Sequence, residues 1–323
     1  MKFLYLLVSE DKDIYYEQTL VSVLSLRHYN PEAFITLIVD DRTDLNLVGF
    51  RAEIKKHIDE YKVIPFEASV SNMVRSRLLK TNMRNLLEGD FLYIDGDTAI
   101  TSPLQADFST LCDVCAIADL HAGKNDSYLL KHKKNNLHKN KMNFKLSLGD
   151  IYFNGGVVFV KDSLKAREFF DKWHALYKKC NEKGIFTDQI SFNETNHLLG
   201  FMIKELPGEW NCQVREAYNH LYRVKIIYPL LCKAKIIHFF GSGIDGKKEP
   251  HPCMKKEFFE NIKKAEKLDS ETLDIVYNAK TAFVGAPKQL NPKVKFPLFF
   301  IYRQFPRLFK ALNFIRNLLK KNS

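Results

Sequence analysis

The chain has 323 residues, 46% hydrophobic and 27% charged, which is long enough to bury a large core and ordinary for a globular protein. That balance excludes a disordered or fibrous chain, and no run approaches the roughly 20 apolar residues of a membrane-spanning helix. The net charge of +11 is concentrated: residues 288–323 carry nine Lys or Arg and no acid, and residues 124–145 carry seven Lys against one Asp. Two basic patches on a slightly acidic body point to localised anionic partners.

Strand and helix patterns alternate through the first 120 residues. Residues 1–8 could imitate a signal peptide, but the apolar part is short and Glu10 and Asp11 follow at once. Residues 3–8 therefore read as a first strand covered on both faces. A helix over 15–29 ends at Asn30-Pro31, and residues 34–39 form a second buried strand that stops at Asp40-Asp41. Residues 51–60 read as helical, 62–66 as a third strand. Ser71 is placed to cap a helix running to Leu87, with Gly89 just past its end. The run Phe91-Leu92-Tyr93-Ile94 is a fourth strand that delivers Asp95-Gly96-Asp97. This βαβ alternation predicts an α/β, doubly wound, mostly parallel sheet, with the ends of strands one and four facing one crevice. Residues 114–118 give another strand. Cys112 and Cys115 beside it have metal-like spacing, but no second pair completes a zinc set, so buried reduced thiols are expected, in keeping with a reducing cytosol.

Residues 121–150 are too polar for core and read as a basic loop over the carboxyl edge of the sheet. A strand over 151–160 is interrupted by Gly155-Gly156, where a backbone bends or a ligand comes close. Residues 163–180 form an amphipathic helix, and Thr187 is placed to cap the next one, which carries Asp188 and Gln189 in its first turn. Residues 226–228 and 235–239 read as strands, the second carrying His238 into Gly241-Ser242-Gly243. Helices near 252–268 and 270–280 close the body. In the tail, Leu298, Ile301, Phe305, Leu308, Leu312, Ile315 and Leu319 recur on one helical face, with Arg303, Arg307, Lys310 and Lys320 mostly opposite. A basic, aromatic amphipathic helix suits an anionic membrane interface; the alternative is a terminal helix docked on the body. The expected organisation is a domain over 1–250, a helical closing segment over 251–285 and a membrane-associating tail over 286–323.

Two acids one residue apart at a strand end repel each other unless a cation sits between them. Asp11-Lys12-Asp13 has the same pattern, so position must discriminate. With His238 at another strand end, two carboxylates and an imidazole suit a divalent ion such as Mn²⁺ or Mg²⁺, leaving positions open for phosphate oxygens. Ile100 and Ala106 stand where an EF-hand needs Gly and Glu.

Asp95-Gly96-Asp97 after an apolar strand, Phe153-Asn154-Gly155-Gly156-Val157-Val158, Asp188-Gln189 and His238-Phe239-Phe240-Gly241 resemble, in that order, the landmarks of the family 8 glycosyltransferases, which include bacterial lipopolysaccharide galactosyltransferases and glycogenin. Ser76-Arg77-Leu78-Leu79-Lys80 looks like that family's sugar-nucleotide helix. The resemblance covers roughly residues 3–243. It implies a single GT-A nucleotide-sugar transferase domain, a UDP-sugar donor, Mn²⁺ (or Mg²⁺), and transfer with retention. It assigns Asp95, Asp97 and His238 to the metal. It assigns Val8, Ser9, Glu10, Arg77, Lys80, Asp95, Gly96, Asn154, Gly155, Gly156 and Gly241 to the donor, and Asp188 and Gln189 to the anomeric centre. The family's Lys six residues after the metal His is Ile244 here, which leaves Lys247 as the candidate for the diphosphate.

The implied function is metal-dependent hexose transfer from a UDP-sugar to a saccharide or glycolipid acceptor, such as lipopolysaccharide or another lipid-linked glycan. The expected place is the cytoplasmic face of the membrane, with the tail on its anionic surface. A sugar nucleotidyltransferase of related fold usually needs a basic glycine-rich loop after the first strand, where this chain has Ser9 to Asp13. No nucleic-acid partner is expected, because the tail is amphipathic rather than evenly basic.

Overall fold

The computed structural model describes residues 1–123, 142–146, 149–214, 221–239 (backbone only for 221–225) and 252–280, with Phe305, Arg307, Leu308, Ala311, Leu312 and Ile315. Most of the basic loop, Gly241, Lys247 and most of the tail lie outside these residues.

The first strand, β1 (Lys2–Leu7), leads to α1 (Tyr15–Tyr29), β2 (Phe34–Asp40) and α2 (Asp41–Asn46). A 3₁₀ segment at Gly49–His57 replaces the expected helix, and β3 (Glu60–Ile64) begins two residues earlier than its sequence pattern suggests. Then follow α3 (Asn72–Leu86), β4 (Phe91–Ile94), β5 (Thr98–Ile100), β6 (Val114–Ala118) and β7 (Phe153–Val160). Ser71 caps α3, its Oγ accepting the Val74 N–H. The second half comprises α4 (Leu164–Glu182), α5 (Asp188–Leu198), β8 (Lys204–Glu205), β9 (Cys212–Gln213), α6 (Leu221–Lys233), β10 (Ile236–His238), α7 (Lys256–Ala265) and α8 (Ser270–Tyr277).

Among the described residues, seven strands form one sheet in the order β3-β2-β1-β4-β7-β6-β8. β3, β2, β1 and β4 run parallel, while β7 is antiparallel to both β4 and β6. One face packs on α1 through Tyr16, Leu20, Val23 and Leu24. The other packs on α3 and α4 through Leu79, Met83, Phe169, Phe170 and Trp173. The sheet is thus covered on both faces, which is why its central strands read as unbroken apolar runs. A second sheet, β5-β10-β9, stands beside it.

Two expectations are corrected. Residues 226–228 are helical: Ile227, Tyr228 and Leu231 are buried at spacings of three and four, so a helix face rather than a strand carries them into the core. Cys112 and Cys115 are joined as a disulfide with Cα atoms 6.1 Å apart, because the turn into β6 folds one thiol back onto the other. This removes the support that reduced thiols lent to a reducing compartment. Among the described residues no helix is long and apolar enough to cross a membrane.

Candidate active site

Two strand pairings build the site. At the end of β4, the Asp95 N–H donates to the Gly156 carbonyl at 2.7 Å, tying the Asp95-Gly96-Asp97 turn to β7. The chain re-enters as β5, where Thr98 lies opposite His238 of β10, and the Phe239 N–H donates to the Asp97 carbonyl at 2.9 Å. Residues far apart in sequence are thereby set side by side. The ligand atoms of Asp95, Asp97 and His238 lie within 4.8 Å of one another, and His238 Nε2 is 3.1 Å from Asp97 Oδ1. Burial disfavours a charge on His238, but Asp97 outweighs it and raises the imidazole pKa above its ordinary value.

This donor set fits a divalent cation, with one constraint. Lys80 Nζ donates to both oxygens of Asp95, at 3.0 and 3.2 Å, and the Tyr93 hydroxyl donates to Oδ1. A carboxylate offers about four lone-pair positions. Three are taken, so Asp95 can meet an ion only through Oδ2, in monodentate fashion.

Lys80 also links this cluster to a second. Its Nζ is 3.7 Å from Asp188 Oδ2, and Arg77 Nε is 2.9 Å from Asp188 Oδ1. Burial raises the Asp188 pKa, but Arg77 and then Lys80 outweigh it, leaving the carboxyl below the usual range. Asp188 opens α5, where the helix N-terminus also favours a negative charge. Gln189 beside it is half-buried, and among the described residues its side-chain amide makes no hydrogen bond.

The glycines have different duties. A Cβ on Gly156 would lie 2.3 Å from His238 Cε1 and 2.8 Å from Nδ1, so this glycine makes room for the histidine ring rather than for a ligand. A Cβ on Gly96 would lie 2.3 Å from Thr19 Oγ1, which makes its absence a packing requirement of α1. Gly155 leaves ordinary clearance, 3.7 Å to Lys80 Cε.

A cavity of about 460 Å³ opens between the ends of β1 and β4. Val8, Tyr15, Gln18, Ser76, Arg77, Tyr93, Asp95, Gly96 and Asp97 line it. Ser9 is fully buried and committed to the scaffold: its hydroxyl donates to Asp13 at 2.7 Å and accepts from Arg51 at 2.9 Å. Glu10 approaches the fully buried Arg75 at 3.9 Å. Asp13 accepts hydrogen bonds from Ser9, Glu10 N and Tyr15 N, so the Asp11-Lys12-Asp13 pattern is a turn that begins α1. Asn154 is buried and bonded to Asp119, Asn211 and Gly156.

Several contributors escaped the sequence reading. Arg75 and Asp40 form a fully buried ion pair at 2.6 Å beneath the N-terminus of α3. Tyr93 looked like one more apolar strand residue. Asn211 carried one signal: an amide between Trp210 and Cys212, where a buried polar group needs a dedicated partner.

No protein-family model matches the sequence, and no curated protein does either. Solved structures do match. An active-site mutant of LgtC is 14% identical over 84% of this chain and 98% of that one, with a TM-score of 0.52. The galactosyltransferase LgtC with donor and acceptor sugar analogues is 14% identical over 87% and 100%, with a TM-score of 0.49. The apo form of mouse xyloside xylosyltransferase 1 is 13% identical over 73% and 96%, with a TM-score of 0.45. The fold is GT-A. The structural neighbours are family 8 glycosyltransferases, in agreement with the resemblance read from the motifs, and at these identities the likeness is one of fold.

Proposed function

We propose that this protein is a metal-dependent, retaining glycosyltransferase that moves a hexose from a UDP-sugar to a saccharide acceptor. The observation that carries the reading is the convergence of His238 with Asp95 and Asp97, two carboxylates that line a cavity also lined by Arg77. Asp95 through Oδ2, Asp97 and His238 Nε2 would hold the ion, Mn²⁺ or Mg²⁺. Bound there, the ion supplies neutralisation of the charge that develops on a departing diphosphate. Val8, Gly96 and Arg77 line the cavity on the donor side, and Arg77 and Lys80 keep Asp188 ionised and in place. With both Asp188 oxygens facing cations, Gln189 is the neighbour whose side chain is uncommitted and available to the sugar.

The acceptor we infer is a lipid-linked or surface glycan such as lipopolysaccharide, with the enzyme peripheral on the cytoplasmic membrane face. Support comes from the tail: nine Lys or Arg without an acid from 288 to 323, and Phe305, Leu308, Leu312 and Ile315 at helical spacing, all exposed.

The test is UDP release and sugar transfer from UDP-Glc, UDP-Gal, UDP-GlcNAc and UDP-GalNAc in Mn²⁺, with and without chelator. One donor should be turned over, chelation should abolish turnover, and Asp97→Ala should lower it at least ~100-fold. Turnover by Asp97→Ala at the wild-type rate would overturn the reading.

A further inference from the structure

Asn154, Asn211 and His238 are buried, 3%, 0% and 2% exposed, and are joined by hydrogen bonds that run in one direction. Asn154 Nδ2 donates to Asp119 Oδ1 at 3.1 Å. Its Oδ1 accepts from the Gly156 N–H at 2.8 Å and from Asn211 Nδ2 at 3.0 Å. Asn211 Oδ1 then faces His238 Nδ1 at 3.0 Å. The direction is dictated at the far end. A backbone N–H can only donate and a carboxylate can only accept, so the Asn154 amide has one permitted orientation. Asn211 must turn its Nδ2 toward Asn154, and its oxygen is what remains for His238. An amide oxygen carries no proton, so His238 Nδ1 must supply one.

We propose that Asn211 is a positioning residue that holds His238 as the Nδ1–H tautomer, aiming the Nε2 lone pair at the gap between Asp95 and Asp97. Metal-ligating histidines depend on such an acceptor on the nitrogen that does not bind. The geometry shows what happens without it. With the hydrogen on Nε2, His238 would donate to Asp97 across 3.1 Å, and two of the three ligands would satisfy each other instead of an ion. Asp119 and Asn154 act one step behind, fixing the orientation of Asn211. The inference rests on reading Asp95, Asp97 and His238 as a cation site, and is independent of which sugar is moved.

The experiment uses the full chain and Mn²⁺ alone, with free Mn²⁺ followed by electron paramagnetic resonance. Asn211→Leu removes the acceptor and should weaken Mn²⁺ binding by roughly 10- to 100-fold. Asn211→Asp keeps an acceptor toward Nδ1 but loses the donor toward Asn154. It should lower thermal stability while holding Mn²⁺ affinity within about threefold of wild type. On wild-type protein loaded with diamagnetic Mg²⁺, ¹⁵N-histidine spectra should show a one-bond-coupled Nδ1–H on His238, assigned by its loss in His238→Gln. An Nε2–H there, a folded Asn211→Leu that binds Mn²⁺ like wild type, or equal losses in both Asn211 variants would each overturn the proposal. If Asn211→Leu does not fold, the wild-type spectrum decides. Failure to turn over any UDP-sugar with these signatures intact would overturn the donor reading and leave this one standing.

Discussion

Gly155 and Gly156 are neighbours in one strand, yet alanine should be damaging at Gly156 and nearly neutral at Gly155. A Cβ on Gly156 falls 2.3 Å from His238 Cε1 and 2.8 Å from Nδ1. Carbon atoms rest about 3.5 Å apart at closest favourable contact, so the imidazole would have to retreat by about 1 Å. That is several times the ~0.2 Å tolerance of a metal–ligand bond, and it also disturbs the 3.0 Å contact of His238 Nδ1 with Asn211. The ring is buried beside the β5–β10 pairing and cannot retreat freely, so overpacking should cost about 1–3 kcal/mol. Gly156→Ala should therefore lower the urea midpoint and weaken Mn²⁺ binding at least ~10-fold. At Gly155 the new methyl would meet Lys80 Cε at 3.7 Å and Nζ at 3.8 Å, ordinary contacts. Gly155→Ala should leave stability within about 0.5 kcal/mol and Mn²⁺ affinity unchanged. Titration of both variants with Mn²⁺, alongside urea melts, measures the contrast. Equal Mn²⁺ affinities for Gly156→Ala and wild type would refute the reasoning, since the ring would then not be where its contacts place it.

Three further outcomes follow from the same geometry. Lys80→Met keeps the aliphatic stem but removes the ammonium from both Asp95 oxygens, so Mn²⁺ affinity should rise several-fold while turnover falls at least ~10-fold; weaker Mn²⁺ binding would contradict the lone-pair count. Asp188→Asn should destabilise at pH 7 by about 1–3 kcal/mol. Because Arg77 and Lys80 hold the folded carboxyl below its unfolded value of about 4, their stabilisation exists above that pH and is lost as pH falls through the lower folded value. The gap in urea midpoint between variant and wild type should thus narrow below about pH 4, and a gap constant down to pH 2 would remove the charge explanation. Asp40→Leu and Arg75→Met should each cost about 3–5 kcal/mol by stranding a buried charge, with the double variant costing clearly less than their sum in equilibrium unfolding.

How much of this was legible in the chain itself depends on the range of the interaction. Alternating apolar runs and caps act within a few residues, and they determined the strands that carry Asp95 and His238, the start of α3 at Ser71 and the doubly wound sheet. The position of Asp95-Gly96-Asp97 at the carboxyl end of a buried strand was equally local, and it separated that pattern from Asp11-Lys12-Asp13. The tertiary structure decided what each residue does once strands from distant parts of the chain are paired. It made Gly156 the floor under His238, gave Ser9 to the scaffold, shared Asp95 between Lys80 and Tyr93, and turned residues 226–228 into a helix. Asn211 has no periodicity or motif partner nearby; its role exists only because β5, β10 and β7 bring His238 and Asn154 to either side of it. A side chain's chemistry is written in the sequence, but the direction of a hydrogen bond between residues far apart is set only when the folded backbone fixes who can donate and who can accept.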